Sequence, residues 1–381
     1  MNATEKYKKL VEDHFGSGTA TFDVALPRNN VTGALARTDQ YDAFREGFHA
    51  RLSRLAECYE SGNPYRKSIL EAVNNIAQPK NWEGAYAELA AIDFFNSDAD
   101  WLSEPIELSR TVPATDTLAA SKGMKNVNFD GYYPEFEISF DVKVLQDKIG
   151  SMLEKLATRV KASISEPNLA IQPEFPIDMD FRAFDGKHQQ LSKELAQGLQ
   201  GNHDSGFVKS TIISGLTYRY RRTAGSLTTI SCYNPYQHAR NHHQLLFQHA
   251  KKFSRISPSV IVFVAFPWFS ESILSGGLAS NEVFYRAFAR RCFCQYANDQ
   301  TPANELLKEM DDTVTMAEVT RSLSGVIFLE DHTVMEGDSE EGRMKAFAYF
   351  NPNANHKLPR HYRQHLEALR VYIDELEADN Y

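Results

Sequence analysis

Apolar residues follow helical spacing in the first part of the chain. Between positions 34 and 59 they recur every three or four residues, and the stretch 64–76 repeats that spacing, which predicts a helical N-terminal region over residues 1–80. At 81–95 small residues separate the large apolar ones, a pattern typical of a helix that is buried on most of its faces. The chain therefore begins with helices, the last of them deeply buried.

Strand spacing begins further along the chain. Alternation of apolar and polar residues over 136–145 predicts a strand, and a short apolar run that ends at Asp130 predicts its partner in a hairpin. The runs 259–266 and 324–329 are apolar almost throughout, as is typical of strands buried on both faces of a sheet. This order predicts an α/β fold in which a mixed central sheet is flanked by helices.

The segment 150–233 separates the hairpin from the later strands and contains prolines and polar stretches. We expect an inserted segment of loops, a helix and a hairpin, with hairpin strands at 211–222 and 227–233, rather than an independent domain. A final helix is predicted at 360–378. The expected parts of the chain are a helical N-terminal region (1–80), a core that contains the insertion (81–355), and a C-terminal helix with an acidic tail (356–381).

The composition is that of a globular protein, since 42% of the 381 residues are apolar. No apolar run reaches the length of about 18 residues that a membrane span requires, and residues 1–10 lack the apolar core of a signal peptide. Four cysteines are too few for a disulfide scaffold and fit a reducing compartment. We therefore expect a cytoplasmic protein without a membrane partner.

The charges are segregated along the chain, although the net charge is −9. Residues 205–270 contain no Asp or Glu, and we call this stretch the basic band. A local basic surface on an acidic protein is typical of phosphate contacts, which favours nucleic acid as the partner. A solvated helix face and hairpin would give the same pattern. The residues predicted to contact nucleic acid are Arg219, Arg221, Arg222, Lys251, Lys252 and Arg255.

Within the basic band, arginines and tyrosines alternate over 218–222. On a strand this places Arg219 and Arg221 on one face and Tyr218 and Tyr220 on the other. The arginine face would then grip phosphates. The tyrosines would either face the core of a sheet, which is the commoner arrangement, or stack on bases.

Candidate chemistry lies on the predicted hairpin and on the buried helix before it. Asp141 and Lys143 are two apart on a strand and so share one face. Asp130 ends the partner strand, and Glu88 lies in the buried helix, where an acid needs a partner. Carboxylate oxygens brought together in this way suit a Mg²⁺ ion. A solvated salt bridge between Asp141 and Lys143 on an edge strand is the alternative.

The order of a helix Glu, a strand Asp and an Asp-x-Lys strand, here Glu88, Asp130 and Asp141-Val142-Lys143, resembles the PD-(D/E)xK nuclease superfamily. That resemblance implies a restriction-endonuclease-like fold, with 81–355 as the nuclease core. The chain departs from the motif at two positions, because Phe129 stands where the motif has proline and Asp141 where it has glutamate.

The resemblance also implies a mechanism. Asp130 and Asp141, the carbonyl of Val142 and, through the buried helix, Glu88 would hold Mg²⁺, for which Mn²⁺ substitutes. Lys143 would orient the attacking water, or act as a general base if its pKa is depressed. The implied catalytic residues are Glu88, Asp130, Asp141 and Lys143.

The function implied is that of a metal-dependent endonuclease that acts on nucleic acid, DNA rather than RNA, in restriction or anti-phage defence. A homodimer or a larger defence complex would fit such a role. Two other readings stay open: a nuclease-like scaffold that binds nucleic acid without cutting, and an assembly subunit in which the Asp-x-Lys spacing is coincidental.

Overall fold

The computed structural model describes residues 1–97, 104–119, 124–166, 168–174, 181–184, 186–201, 203–222, 234–266, 268, 281–307, 310, 312–332 and 344–376. The chain divides into two compact units. The first unit comprises Met1–Leu145, Gln244–Trp268 and Ala289–Tyr381, and the second comprises Gln146–His243 and Phe269–Phe288.

The strands form one sheet in each unit. In chain order they are β1 (Glu107–Pro113), β2 (Asn126–Tyr133), β3 (Ile138–Val144), β4 (Leu169–Glu174), β5 (Ser205–Lys209), β6 (Thr217–Arg222), β7 (Ser259–Ala265), β8 (Gly325–Asp331), β9 (Met344–Phe350) and β10 (Tyr372–Asp374). The first unit holds a seven-stranded sheet of order β1-β2-β3-β7-β8-β9-β10, and the second holds a three-stranded sheet of order β4-β6-β5.

The helices precede and flank these strands. They are α1 (Ala3–Phe15), α2 (Asn30–Ala36), α3 (Asp42–Cys58), α4 (Arg66–Asn75), α5 (Trp82–Phe95), α6 (Lys148–Ser163), α7 (His188–Gly198), α8 (Pro235–His242), α9 (Gln244–Phe247), α10 (Asn281–Arg290), α11 (Ala303–Leu306), α12 (Met316–Arg321) and α13 (Arg360–Ala368). The helical stretch predicted at 34–59 is interrupted between α2 and α3, where Tyr41 adopts a left-handed backbone conformation.

The large sheet is mixed, as predicted. β2 is antiparallel to both of its neighbours, β1 and β3, whereas β3, β7 and β8 run parallel to one another. β9 is antiparallel to β8, and β10 lies parallel to β9. Every residue of β7 and β8 is buried, which explains their continuous apolar runs. The prediction of an α/β fold with a mixed central sheet between helices is thus confirmed at this level.

A buried ionic network joins the N-terminal helices to this sheet. Arg51 of α3 contacts Asp331 at the end of β8, with 3.1 Å between Nη2 and Oδ2, and Asp93 of α5 at 3.3 Å. The Tyr86 hydroxyl of α5 donates to the same Asp331 oxygen over 2.6 Å. Buried charges persist only when they are paired in this way. The network fixes α5 to the sheet, and α5 also packs on β3 and β7.

The hairpin between β2 and β3 depends on a close approach. Gly131 lies opposite Phe140, and a Cβ atom at position 131 would be 2.0 Å from Cζ of Phe140. No side chain fits in that space, because real Cβ contacts are much longer. Glycine therefore lets the Phe140 ring cross the hairpin directly beside Asp130.

The C-terminal part differs from the prediction. α13 ends at Ala368, ten residues before the predicted end, and the chain then adds β10 to the edge of the sheet. The reversal occurs at Arg370, whose φ of 58° is incompatible with a continuing right-handed helix. The acidic tail from residue 377 onward lies outside the described residues.

The second unit has more structure of its own than the predicted loops, helix and hairpin. α6, α7 and the three-stranded sheet enclose an apolar cluster that includes Leu156, Leu195 and Tyr218. β6 pairs with β4 and β5. The second predicted hairpin strand, 227–233, lies outside the described residues. The single helix that the pattern suggested for 236–253 consists of α8, α9 and one turn of 3-10 helix at Ala250–Lys252.

Candidate active site

Three of the predicted site residues are in contact in the first unit. The Lys143 ammonium lies 2.6 Å from Oδ2 of Asp141 and 3.5 Å from Oδ2 of Asp130. Asp141 is fully buried, and β3 lies between β2 and β7 inside the sheet. The alternative of a solvated salt bridge on an edge strand is therefore wrong, because neither condition is met.

The backbone of Val142 connects the same side chains. Its N–H donates to Oδ2 of Asp130 over 2.7 Å, and its carbonyl accepts from the Lys143 ammonium over 2.7 Å. The hydrogen bond to Asp130 joins the middle of β2 to β3, beyond the last hairpin pair at Gly131 and Phe140. The carboxylate of Asp130 is thereby fixed beside β3.

A second lysine contacts the site from the segment before β7. The Lys252 ammonium, in the 3-10 turn Ala250–Lys252, forms an ion pair and hydrogen bond with Oδ1 of Asp141. The sequence placed Lys252 among the nucleic-acid contacts and not at the site. Its role depends on the parallel pairing of β7 with β3, which brings residues 111 positions apart together and leaves no local spacing signal.

Glu88 lies on α5 within range of these charges. Burial, and then the negative charge of Asp130, raises the pKa of Glu88 to about 7, while Lys143 and Lys252 act in the opposite direction. The packing of α5 on β3 accounts for this proximity. A carboxyl group with such a pKa is partly protonated at neutral pH and gains from any added cation.

The pKa values of Asp130 and Lys143 are raised as well. Burial, and then Asp141, raises the pKa of Asp130 to about 6. Burial alone would lower the pKa of Lys143, but the carboxylates of Asp141 and Asp130 outweigh it and raise that pKa above its ordinary value. Lys143 is therefore a permanent cation here. The condition for general-base action, a depressed pKa, is absent.

The donor set fits a hard divalent cation. Asp130, Asp141, Glu88 and the Val142 carbonyl offer only oxygen, which is what Mg²⁺ prefers. Burial, and then neighbouring carboxylates, raises the pKa values of Glu88 and Asp130, and a bound cation would offset both effects. Within the described ranges, however, no three His, Cys, Asp or Glu side chains are already arranged around a common metal position. The lysine ammonium groups occupy both oxygens of Asp141 instead.

Some arginines of the basic band are exposed, and others are held in ion pairs within the protein. Tyr218 and Tyr220 are buried in the core of the second unit, which is the commoner of the two arrangements expected, so the alternative of stacking on bases does not apply. Arg219 and Arg221 are exposed on the opposite face of β6. Arg219 pairs with Glu174 at 2.9 Å.

Arg222 serves the second unit itself. Its guanidinium pairs with Glu166 at 2.6 Å and donates to the carbonyl of Leu199 over 2.6 Å. These contacts join the end of β6 to the ends of α6 and α7. They leave Arg222 less available for phosphate than the sequence suggested.

Lys251, Lys252 and Arg255 belong to the first unit. Lys252 is bound to Asp141, and Arg255 pairs with Glu318 at 3.1 Å. The basic band is thus divided between two compact units, with two of its predicted contact residues bound to acids of the first.

A polar cavity of about 570 Å³ opens beside Glu88. It lies between the end of α4 and the first turns of α5, within the first unit. No feature of apolar spacing predicts such a cavity, because half of its lining residues lie in the loop between α4 and α5.

Comparisons with protein-family models, with curated proteins and with solved structures found no match. In the part of the chain that the structure describes, no helix has the length and apolar character to cross a membrane. The function must therefore be argued from the geometry of the site.

Proposed function

We propose that this chain is a Mg²⁺-dependent nuclease of the restriction-endonuclease-like type, which hydrolyses phosphodiester bonds in nucleic acid. The observation that carries the proposal is the contact of Lys143 with both Asp141 and Asp130. Three charged groups from two strands meet at one point, and a fourth, Glu88, lies on the helix packed against them.

The topology supports this assignment. A buried helix with a glutamate precedes an antiparallel hairpin, the second hairpin strand carries Asp-x-Lys, and a helix and further parallel strands follow. This is the order that the PD-(D/E)xK resemblance implies. In this scheme the second unit contains the insertion.

Each residue has a role that follows from its charge. Asp130 and Asp141, with the Val142 carbonyl and Glu88, would hold Mg²⁺ or Mn²⁺, which supplies charge neutralisation at the phosphate and a water of lowered pKa. Lys143, fixed as a cation, would orient the nucleophile and offset charge that develops on phosphorus. Lys252 would release Oδ1 of Asp141 to the cation and remain beside it.

The finer parts of the proposal come from the resemblance. They are DNA rather than RNA as substrate, a restriction or anti-phage role in the cytoplasm, and action as a homodimer or within a larger defence complex. Arg219 and Arg221 of the second unit, and Lys251 of the first, are exposed or half-buried cations of the basic band that suit phosphate contacts.

A second candidate is a nuclease-like subunit that binds nucleic acid or assembles with partners without cutting. One observation favours it: Asp141 is already neutralised by Lys143 and Lys252, so its charge is balanced without a metal ion. A buried carboxylate paired with two cations can serve as a purely structural element.

Cleavage by matched variants separates the two candidates. Purified wild-type protein should cut plasmid or oligonucleotide DNA with Mg²⁺ and not with EDTA. Asp141→Asn and Lys143→Ala should each lose at least about a hundredfold in rate, whereas Asp13→Asn, at an exposed site on α1, should cut normally. Absence of Mg²⁺-dependent cutting by the wild type, or cutting retained by both site variants, would contradict the nuclease proposal.

A further inference from the structure

The cavity beside Glu88 is large enough for a ligand. Its volume of about 570 Å³ lies within the range of about 300–1,000 Å³ that is typical of small-molecule sites. Its polar walls come from the end of α4, the following loop and the first turns of α5. They include Asn75, Gln78, Lys80, Asn81 and Glu88.

Glu88 links the cavity to the candidate active site, because it lines the cavity and lies on α5, which packs on β3. Gly84 and Glu88 both line it and lie four residues apart on α5, hence on the same face of the helix. The charges of Asp130, Asp141 and Lys143 act electrostatically on the Glu88 carboxyl. A group held against Gly84 would therefore lie next to Glu88, one of the carboxylates proposed to hold the metal.

The walls have the chemistry of a nucleotide subsite. Asn75, Gln78 and Asn81 carry amides, each of which both donates and accepts, as the edge of a nucleobase requires. Among the described residues, these three side chains make no hydrogen bond, so they are available to a ligand. Pro79 adds an apolar surface.

Charge limits what the cavity accepts. Lys80 lines it as a cation suited to a phosphate, whereas Glu88 is the acidic group of the lining. A phosphate group would therefore lie toward Lys80 or toward the proposed metal, and an uncharged base and sugar would face the amides. A nucleotide combines these parts in one molecule.

The loop that forms the cavity is held in place. The side-chain amide of Asn29 donates to the carbonyls of Ile76, over 2.6 Å, and Gln78, over 3.3 Å. The other end of the same amide caps α2 by accepting from the N–H of Thr32 over 3.0 Å. The N-terminal helices thus brace the loop, and the cavity does not depend on a loose segment.

Gly84 keeps the cavity open. A Cβ atom at position 84 would meet no other atom within 4 Å, so the space beside it is empty of protein. Glycine within a helix costs about 1 kcal/mol relative to alanine. The absence of a side chain here lets a ligand approach the helix backbone closely.

We propose that this cavity receives one unstacked nucleotide of the substrate strand, adjacent to the phosphodiester that is cut; the inference rests on the proposed nuclease function. A nucleotide enters such a cavity only after it leaves its stack. The chain therefore acts on single-stranded nucleic acid, or on a duplex that is locally opened at the site.

Filling the cavity tests this inference. Gly84→Leu places a side chain in the open space and improves helix propensity, so it should fold with an equal or higher melting temperature. Gly33→Leu in α2 is the matched control, since a Cβ there also has room, with Arg28 Cδ as its nearest neighbour at 3.9 Å. Gln78→Ala and Lys80→Ala each remove a polar side chain that lines the cavity. They test the same inference if Gly84→Leu fails to fold.

The probe is a short single-stranded oligodeoxynucleotide with 2-aminopurine, whose fluorescence rises when the base leaves its stack. In EDTA, the wild type and Gly33→Leu should bind it and raise its fluorescence. Gly84→Leu should lose the rise and bind about tenfold more weakly, with smaller losses for Gln78→Ala and Lys80→Ala. No rise with the wild type, or equal binding and rise with Gly84→Leu, would overturn the inference.

Cleavage in Mg²⁺ separates this inference from the proposed function. If the wild type cuts DNA and Gly84→Leu cuts with the same kcat/KM, the cavity inference fails and the nuclease proposal stands. If the wild type does not cut, but its fluorescence rise disappears in Gly84→Leu, the nuclease proposal fails and the cavity is a nucleotide site. A parallel loss of fluorescence rise and kcat/KM in Gly84→Leu alone supports both.

Discussion

At the scale of single residues, the candidate site is defined by an excess of carboxylates over cations. Asp130, Asp141 and Glu88 face Lys143 and Lys252. Burial, and then repulsion between the carboxyls, raises the pKa values of Asp130 and Glu88 in spite of the two ammonium groups. A site of this kind gains a cation readily.

Glu88→Gln tests the raised pKa of Glu88 through the pH dependence of stability. The pKa of Glu88 is about 7 in the folded chain and about 4.5 in an ordinary environment. Ionisation therefore lowers the free energy of unfolding as the pH rises from about 4.5 to 7. We expect the variant to gain on the order of 2 kcal/mol over the wild type at pH 8 in EDTA, and much less at pH 5.

Urea unfolding of both proteins at the two pH values provides the measurement. Glu46→Gln, at an exposed position on α3, is the control. If Glu88→Gln gains the same stability at pH 5 and pH 8, the pKa of Glu88 is not raised in the folded chain.

Lys252→Gln tests the ammonium that neutralises Asp141. Removing one of two cations from a buried carboxylate should cost about 2 kcal/mol of unfolding free energy in EDTA. Because a divalent ion replaces the missing charge, Mg²⁺ should stabilise this variant more than it stabilises the wild type. Thermal unfolding with and without Mg²⁺ measures both effects.

Lys67→Gln, which removes an exposed partner of Glu71 on α4, is the control for that experiment. It should change neither the stability nor its response to Mg²⁺ by more than a few tenths of a kcal/mol. If Lys252→Gln responds to Mg²⁺ as the control does, the cation does not bind at Asp141.

At the scale of elements, the hairpin of β2 and β3 determines where the carboxylates meet. Its strands, the buried helix α5, and the apolar strands β7 and β8 were all predictable from periodicity, because each has one or two faces in the core. The alternation in β3 also predicted that Asp141 and Lys143 share a face. What periodicity cannot give is the pairing of β3 with β7, and hence the position of Lys252.

Gly131→Ala tests the close approach in this hairpin. The added methyl group would lie 2.0 Å from Cζ of Phe140, which is buried and has little room to move. We expect a loss of about 2–3 kcal/mol of stability from overpacking. The same change at Gly84, where nothing lies within 4 Å, should instead be neutral or stabilising by up to about 1 kcal/mol.

Chemical unfolding of the two variants compares them directly. Equal stabilities would mean that the hairpin opens to accept a side chain at position 131. In that case the position of Asp130 is not fixed by the packing of Phe140.

At the scale of the whole molecule, the sequence predicted the mixed sheet of the first unit far better than the second unit. β4 contains Pro173 and β5 is short and largely exposed, so neither shows the apolar alternation of a buried strand. Their sheet forms through contacts with α6, α7 and β6 that are distant in the chain. The buried ion pair of Arg51 and Asp331 could not be predicted from the sequence either, since the two residues are 280 positions apart.

The basic band shows the same limit. Sequence alone gave a continuous acid-free stretch, but the fold divides it between two units and uses Lys252, Arg222 and Arg255 in ion pairs with acids from outside the stretch. A charge pattern along the chain becomes a surface only where the fold leaves the side chains exposed, as it does for Arg219 and Arg221.

We propose that Asp130 and Asp141, with Glu88, hold a divalent cation, and direct Mn²⁺ binding tests this role. Titration of the purified chain, followed by the Mn²⁺ electron paramagnetic resonance signal, should show one or two bound ions in the wild type and in Asp13→Asn. In Asp130→Asn combined with Asp141→Asn the affinity should fall by at least about tenfold. A wild type that binds no Mn²⁺, or a double variant that binds it equally well, would contradict the account.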